Sequence, residues 1–140
     1  MIREVEILSK LNIDNLLQVV VRKNIPGMVE LNRKQMRAGE RADNQQIAPE
    51  YSVKYLFFKH SKNTYKALFG TPDLFLTGSF QKKMFAEIKG QSLYFDSNDE
   101  KTNDLGEKYT DKIFGLNDKN KVKARKINDV DLVKLIAKKI

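Results

Sequence analysis

The sequence predicts a single α+β domain over residues 1–140. A long or bent N-terminal helix packs on an antiparallel sheet with a central β-hairpin, and a short C-terminal helix follows. Three observations predict this. Up to Arg37, apolar residues recur at the three- and four-residue spacing of a helix with one buried face. Met84, Ala86 and Ile88, then Leu93 and Phe95, alternate with polar or outward residues on either side of Gly90, the pattern of a hairpin. Val130, Val133, Ile136, Ala137 and Ile140 return to helical spacing.

The elements follow in order. Ile2, Val5, Leu8 and Leu11 form a first helical run. Asn12 or Asp14 can interrupt it and cap a second, in which Ile13, Leu16, Leu17 and Val20 share a face. Pro26 removes a hydrogen bond to the Arg22 carbonyl and clashes with it, so a kink or break is expected over 24–27. Met28, Leu31 and Gln35 carry the helix to about Arg37, and Gly39 stops it. The two parts form a helical hairpin or one bent helix. The nearly continuous apolar face at 13, 17, 20, 28 and 31 favours the bent helix.

Residues 39–50 are a polar connection. Residues 51–70 interleave Lys54, Lys59, Lys62 and Lys66 with aromatic rings at 51, 55, 57, 58, 65 and 69. That mixture could stack on and neutralise single-stranded nucleic acid. It suits better a ring-rich core with a wet lysine rim, because the chain has no tryptophan. His60 is the one histidine, so it completes no histidine pair and reads as exposed or capping.

Leu74-Phe75-Leu76 is a short apolar run after Pro72 and before Gly78, which predicts a buried strand and then a bend. A hairpin spans Ser79 to Ser97, with Lys89-Gly90-Gln91-Ser92 as its turn. Its Met84, Ala86, Ile88, Leu93 and Phe95 face should meet a helix. Phe85 and Tyr94 fall on the other face, which suits packing on a neighbouring subunit. The turn at Ser97–Lys101 caps a helix from about Glu100 to Tyr109 around Leu105, weakened by Gly106. Residues 119–126 are rich in Lys and Arg and hold no acid. Read as a strand, they point Lys119, Lys121, Lys123 and Arg125 one way, with Lys126 beside them. Such a comb can lie along a phosphate backbone or an acidic rim, or serve as a solvated edge strand. The final helix starts at Asn128 or Asp129.

Composition narrows the function. Apolar residues are 41% and charged residues 31% of the chain, as a folded domain requires. No apolar run nears the roughly 20 residues of a membrane span, and Met1–Glu6 lacks the pattern of a signal peptide. With no cysteine, disulfides and thiolate chemistry are excluded. The net charge of +8 favours anionic partners, or serves solubility alone. There is no phosphate loop and no nucleophile elbow. Asp96, Asp99, Glu100 and Asp104 lack the spacing of a calcium loop, and Asp73 reads as a turn acceptor. No catalytic residue, cofactor or metal site is expected.

Three stretches carry a family resemblance. Pro72-Asp73-Leu74-Phe75-Leu76-Thr77-Gly78-Ser79-Phe80 resembles the leucine, threonine, glycine, bulky-residue signature of virion-morphogenesis proteins of tailed bacteriophages. Gln35, Gly39, Asp43, Ile47, Pro49, Tyr51 and Ser52 resemble the stretch those proteins carry after their helix. Lys101, Leu105, Tyr109, Ile113, Phe114, Gly115 and Leu116 resemble the region after their hairpin. That family often has glycine where this chain has Thr110. The resemblance spans about residues 28–117 and implies a tail-completion or neck protein at the head–tail junction. It implies a structural role in the virion as a homo-oligomeric ring. Partners would be copies of the chain and portal or tail proteins, with packaged DNA as a further contact and no membrane. The rival class is a free, basic nucleic-acid-binding protein.

Overall fold

The computed structural model describes residues 12–61, 70–75 and 77–140. The expected helical run at Ile2–Leu11, the position of Leu76 and residues 62–69 lie outside these. The fold is α+β. No helix among the described residues is long and apolar enough to cross a membrane.

Helix α1 runs Ile13–Arg37, with Pro26 inside it. Asn12 caps it, its Oδ1 accepting the Asn15 N–H at 3.1 Å. The segment is one helix, not a helical hairpin. A proline inside a helix costs roughly 3 kcal/mol. Burial of Met28, Val29 and Met36, at about 1.5–3 kcal/mol each, outweighs that cost. At the far end Gly39 adopts φ +79°. The Gly39 N–H then bonds Met36 O at 2.8 Å and the Glu40 N–H bonds Gln35 O at 2.9 Å, closing the last turn. Ile13 and Leu17, expected on the buried face, are 40% and 37% exposed.

Helix α2 covers Val53–Ser61, so the first part of the mixed stretch is helical and His60 lies within a helix. Ser52 Oγ receives the Tyr55 N–H at 3.2 Å and holds its first turn. The strand expected at 74–76 is absent from Leu74 and Phe75. Leu74 sits at φ +52°, which no strand accommodates. Gly78, at φ +84°, bends the chain into the single turn α3, Ser79–Lys82. The Phe75 ring covers Gly78 so closely that a Cβ there would lie 2.8 Å from it.

The expected hairpin follows, but it starts at Met84 and not at Ser79, because residues 79–82 form α3. Strand β1, Met84–Lys89, pairs antiparallel with β2, Ser92–Ser97, in register Ala86↔Phe95 and Ile88↔Leu93. Gly90, at φ +62°, makes the two-residue turn. The Met84 and Ala86 face meets Val29 and Met36 of α1, together with Ile47, Leu74, Phe80, Tyr109 and Ile113. Helix α4 is Thr102–Tyr109, and a 3-10 turn at Asp111–Ile113 follows. Thr110 between them stands at φ +69°. A glycine would fit that backbone better.

The last element is the main correction. Residues 119–126 are not a strand. They open α5, Asp118–Lys139, so the C-terminal helix begins well before Asn128. Asn117 caps it, accepting the Asn120 N–H at 3.2 Å. Asn120, Ala124, Asn128, Asp131 and Leu135 turn inward, with Leu132 and Ile136 half-buried beside them. The first four are polar or small, and the three- and four-residue spacing of the inward set is what sets the element. The every-second-residue lysine pattern has no burial behind it.

Candidate interaction surfaces

Two sets of buried polar side chains position everything on the surface. The first surrounds the segment 70–75. Lys59 on α2 and Asp73 are both fully buried, and their Nζ and Oδ1 lie 2.5 Å apart. Lys59 also donates to the Phe75 carbonyl. Tyr51 OH donates to Asp73 Oδ1 at 3.2 Å and accepts the Leu74 N–H at 3.0 Å, which holds Leu74 in its strained conformation. Burial first, and then the Asp73 charge, raises the Tyr51 hydroxyl far above its ordinary pKa. Tyr55 is raised for the same two reasons. Asp73 also accepts the Phe75 N–H at 3.3 Å, the turn role expected of it.

Gln81 ties this segment to α1. Its Nε2 donates to the carbonyls of Asp73 and Leu74 at 2.9 and 3.2 Å. Its Oε1 receives Arg37 at 2.9 Å, and its carbonyl receives Arg33 at 2.6 Å. The second set fixes 113–120. Asn32 donates to Ile113 O and receives the Gly115 N–H, both at 3.1 Å. Gln35 donates to Gly115 O at 2.9 Å and receives Asn117 N at 2.8 Å and Asn120 Nδ2 at 2.9 Å. Sequence reading missed Lys59, Asn32, Gln81 and Asn117 as buried partners and gave Gln35 a place in a helical pattern and in the resemblance, without a buried role. The spacing of Asn32 and Gln35 on the apolar face of α1 was the available signal.

With the interior so held, three outer surfaces remain. On α2, Val53 and Phe57 are 68% and 72% exposed. Tyr55 of the same helix lines an open cleft with Tyr51, Phe75, Lys101, Leu105 and Lys108. On the hairpin, Phe85 and Tyr94 share the outer face, as expected from alternation. Phe85 is half-buried and Tyr94 is 54% exposed, with the Lys89 ammonium 5.3 Å from its ring centre. Beside this face a second cleft lies between β2, α4 and the 3-10 turn. Phe95 and Phe114 line it with the exposed carboxylates Asp96, Glu107 and Asp111.

The third surface is α5. As a helix it divides the expected comb. Lys121 and Arg125 share one side, and Lys119, Lys123 and Lys126 point elsewhere. All five are exposed. Lys119 is engaged within the chain, 3.1 Å from Glu40 Oε1. The other four have no ion-pair partner among the described residues. Val122, Val130 and Val133 are 47%, 53% and 65% exposed on the side away from α1. The opposite side docks on α1, where Asn24 Nδ2 donates to Asn128 at 3.0 Å and to Asp131 at 2.9 Å.

The acidic run 96–104 does not converge. Asp99 is turned inward, receiving the Ser79 hydroxyl at 2.8 Å and the Lys101 N–H at 3.0 Å. The Lys101 N–H, then the Ser79 hydroxyl, hold its carboxyl below the ordinary range. Among the described residues no group of three or more histidines, cysteines or carboxylates could hold a metal ion. Comparison with protein families, with curated proteins and with solved structures finds no match for the chain.

Proposed function

We propose that this chain is a structural component of a tailed-phage virion. It works at the neck or head-proximal tail end as a homo-oligomeric ring, and it acts by adhesion, with no substrate turned over. It is made in the host bacterial cytoplasm and ends in the virion. The observation that carries this reading is the contrast between a hydrogen-bonded interior and apolar side chains left outside on three surfaces. Phe57, Tyr94 and Val133 are 72%, 54% and 65% exposed, one on each. A contiguous apolar stripe, such as exposed Val122, Val130 and Val133 on α5, suits a protein that is covered by neighbours. The family resemblance supports the same reading. Of the residues that carry it, Gln35, Tyr51 and Asp73 belong to the two hydrogen-bonded sets that hold the fold.

Deleting the gene from the phage or prophage that carries it tests the proposal. Filled heads and free tails should accumulate unjoined, and supplying the chain in trans should restore joining. Normal infectious particles from the deletion would refute it. The exposed cations of α5 favour a second reading, a free nucleic-acid-binding protein. That reading requires tight binding of short DNA, with a logarithmic salt slope near −0.9 per phosphate contacted. The structural reading requires weak DNA binding by the isolated chain.

A further inference from the structure

Helix α5 has two faces of comparable apolar character, and only one is used. The inward stripe through Asn120, Ala124, Asn128 and Leu135 lies on α1. The outward stripe runs Val122, Lys126, Val130, Val133, Ala137 and Ile140, again at three- and four-residue spacing, and every member is exposed. Lys123 and Lys134 border it. A helix that lay on a membrane surface would keep its apolar residues to one face. Phosphate would engage the lysines and leave the valines idle.

The complement of this stripe is present on the same chain. The cleft between β2 and α4 has Phe95 and Phe114 in its lining and Asp96, Glu107 and Asp111 along it, and no lysine or arginine lines it. None of these three carboxylates has an ion-pair partner among the described residues. Within one molecule the two surfaces do not meet, since the stripe stays exposed while α5 is held on α1. The match can be satisfied only between copies.

We infer that the outward stripe of α5 docks into the β2–α4 cleft of a second copy of the chain. Valines meet Phe95 and Phe114, and Lys123 and Lys126 meet the carboxylates. The two surfaces differ, so the contact is head-to-tail and repeats from copy to copy, closing into a ring if the rotation allows. This rests on the structural reading above and names the surfaces that it needs.

Sedimentation equilibrium in low salt tests it, with circular dichroism confirming that each variant is folded. Lys123→Glu/Lys126→Glu should weaken self-association about tenfold or more, since like charges then face each other. Glu107→Lys/Asp111→Lys should do the same. The variant with all four reversals should regain association. If the parent chain associates and neither double variant weakens it, or the four-fold variant does not recover, the inference is wrong while the structural reading stands. If the parent stays monomeric throughout, both the contact and the ring fall. Short duplex DNA and anionic vesicles form the control arms. Tight capture of either that the Lys123→Glu/Lys126→Glu variant loses, with self-association unchanged, would assign the stripe to that partner instead and overturn the inference.

Discussion

Around the segment that holds Asp73 and Gln81 the charged and amide side chains are inside, and in α5 the valines are outside. Lys59, Asp73 and Gln81 are at most 1% exposed, whereas Val122, Val130 and Val133 are each about half exposed or more. Both arrangements run against ordinary partition. Their consequences differ. A buried ion pair surrounded by donors and acceptors fixes one backbone path, here the strained turn at Leu74. An apolar stripe with nothing over it fixes nothing in the monomer. The first region makes the fold unique, and the second is the surface we propose for a contact between copies.

The largest effect that sharpens this contrast belongs to the buried pair. Lys59→Met removes the ammonium that bonds Asp73 and the Phe75 carbonyl, and should cost about 3–5 kcal/mol in urea denaturation. The double variant with Asp73→Asn should lose less than the sum of the two single variants, because the two side chains act together. A single variant as stable as the parent would break the comparison on its inner side. Next is Gln35→Ala, which strands the Gly115 carbonyl and the Asn117 N–H. About 2 kcal/mol of stability should go with it, measured in the same way. Smaller again is Thr110. With φ at +69°, Thr110→Gly should be more stable than Thr110→Ala by about 1 kcal/mol. Equal stabilities would mean that the turn carries no strain.

The smallest change is expected on the outer side. Val130→Ser/Val133→Ser should alter the stability of the monomer, measured in high salt, by less than about 0.5 kcal/mol. The same variant should lower self-association. A large loss of monomer stability would show that these valines belong to the fold after all.

Much of the fold was legible in the sequence, for reasons that particular residues make plain. The hairpin was readable because Met84, Ala86, Ile88, Leu93 and Phe95 alternate and Gly90 permits the turn. The outward placement of Phe85 and Tyr94 followed from the same alternation. Helix α1 was readable from its spacing, and Asn12 acts as one of the two caps considered. The start of α5 was not readable, because its inward positions are Asn120 and Ala124 and its loudest pattern is lysine at every second residue. Charge periodicity reports what solvent touches, and burial decides the element. The path of 74–75 was hidden too. Pro72 and the apolar run suggest a strand, but Lys59, Tyr51 and Gln81 capture the backbone from distant positions. The α5–cleft pair could not be found in sequence order, since Glu107 and Phe95 become neighbours only in the folded chain.

The central claim is that this chain works by fitting against copies of itself. Light scattering coupled to size exclusion, over a range of protein and salt concentrations, tests it most directly. A mass of several times the 16.2 kDa chain at low salt, falling towards one chain as salt screens the lysine–carboxylate contacts, is the result expected. A single 16.2 kDa species at every protein and salt concentration would contradict it.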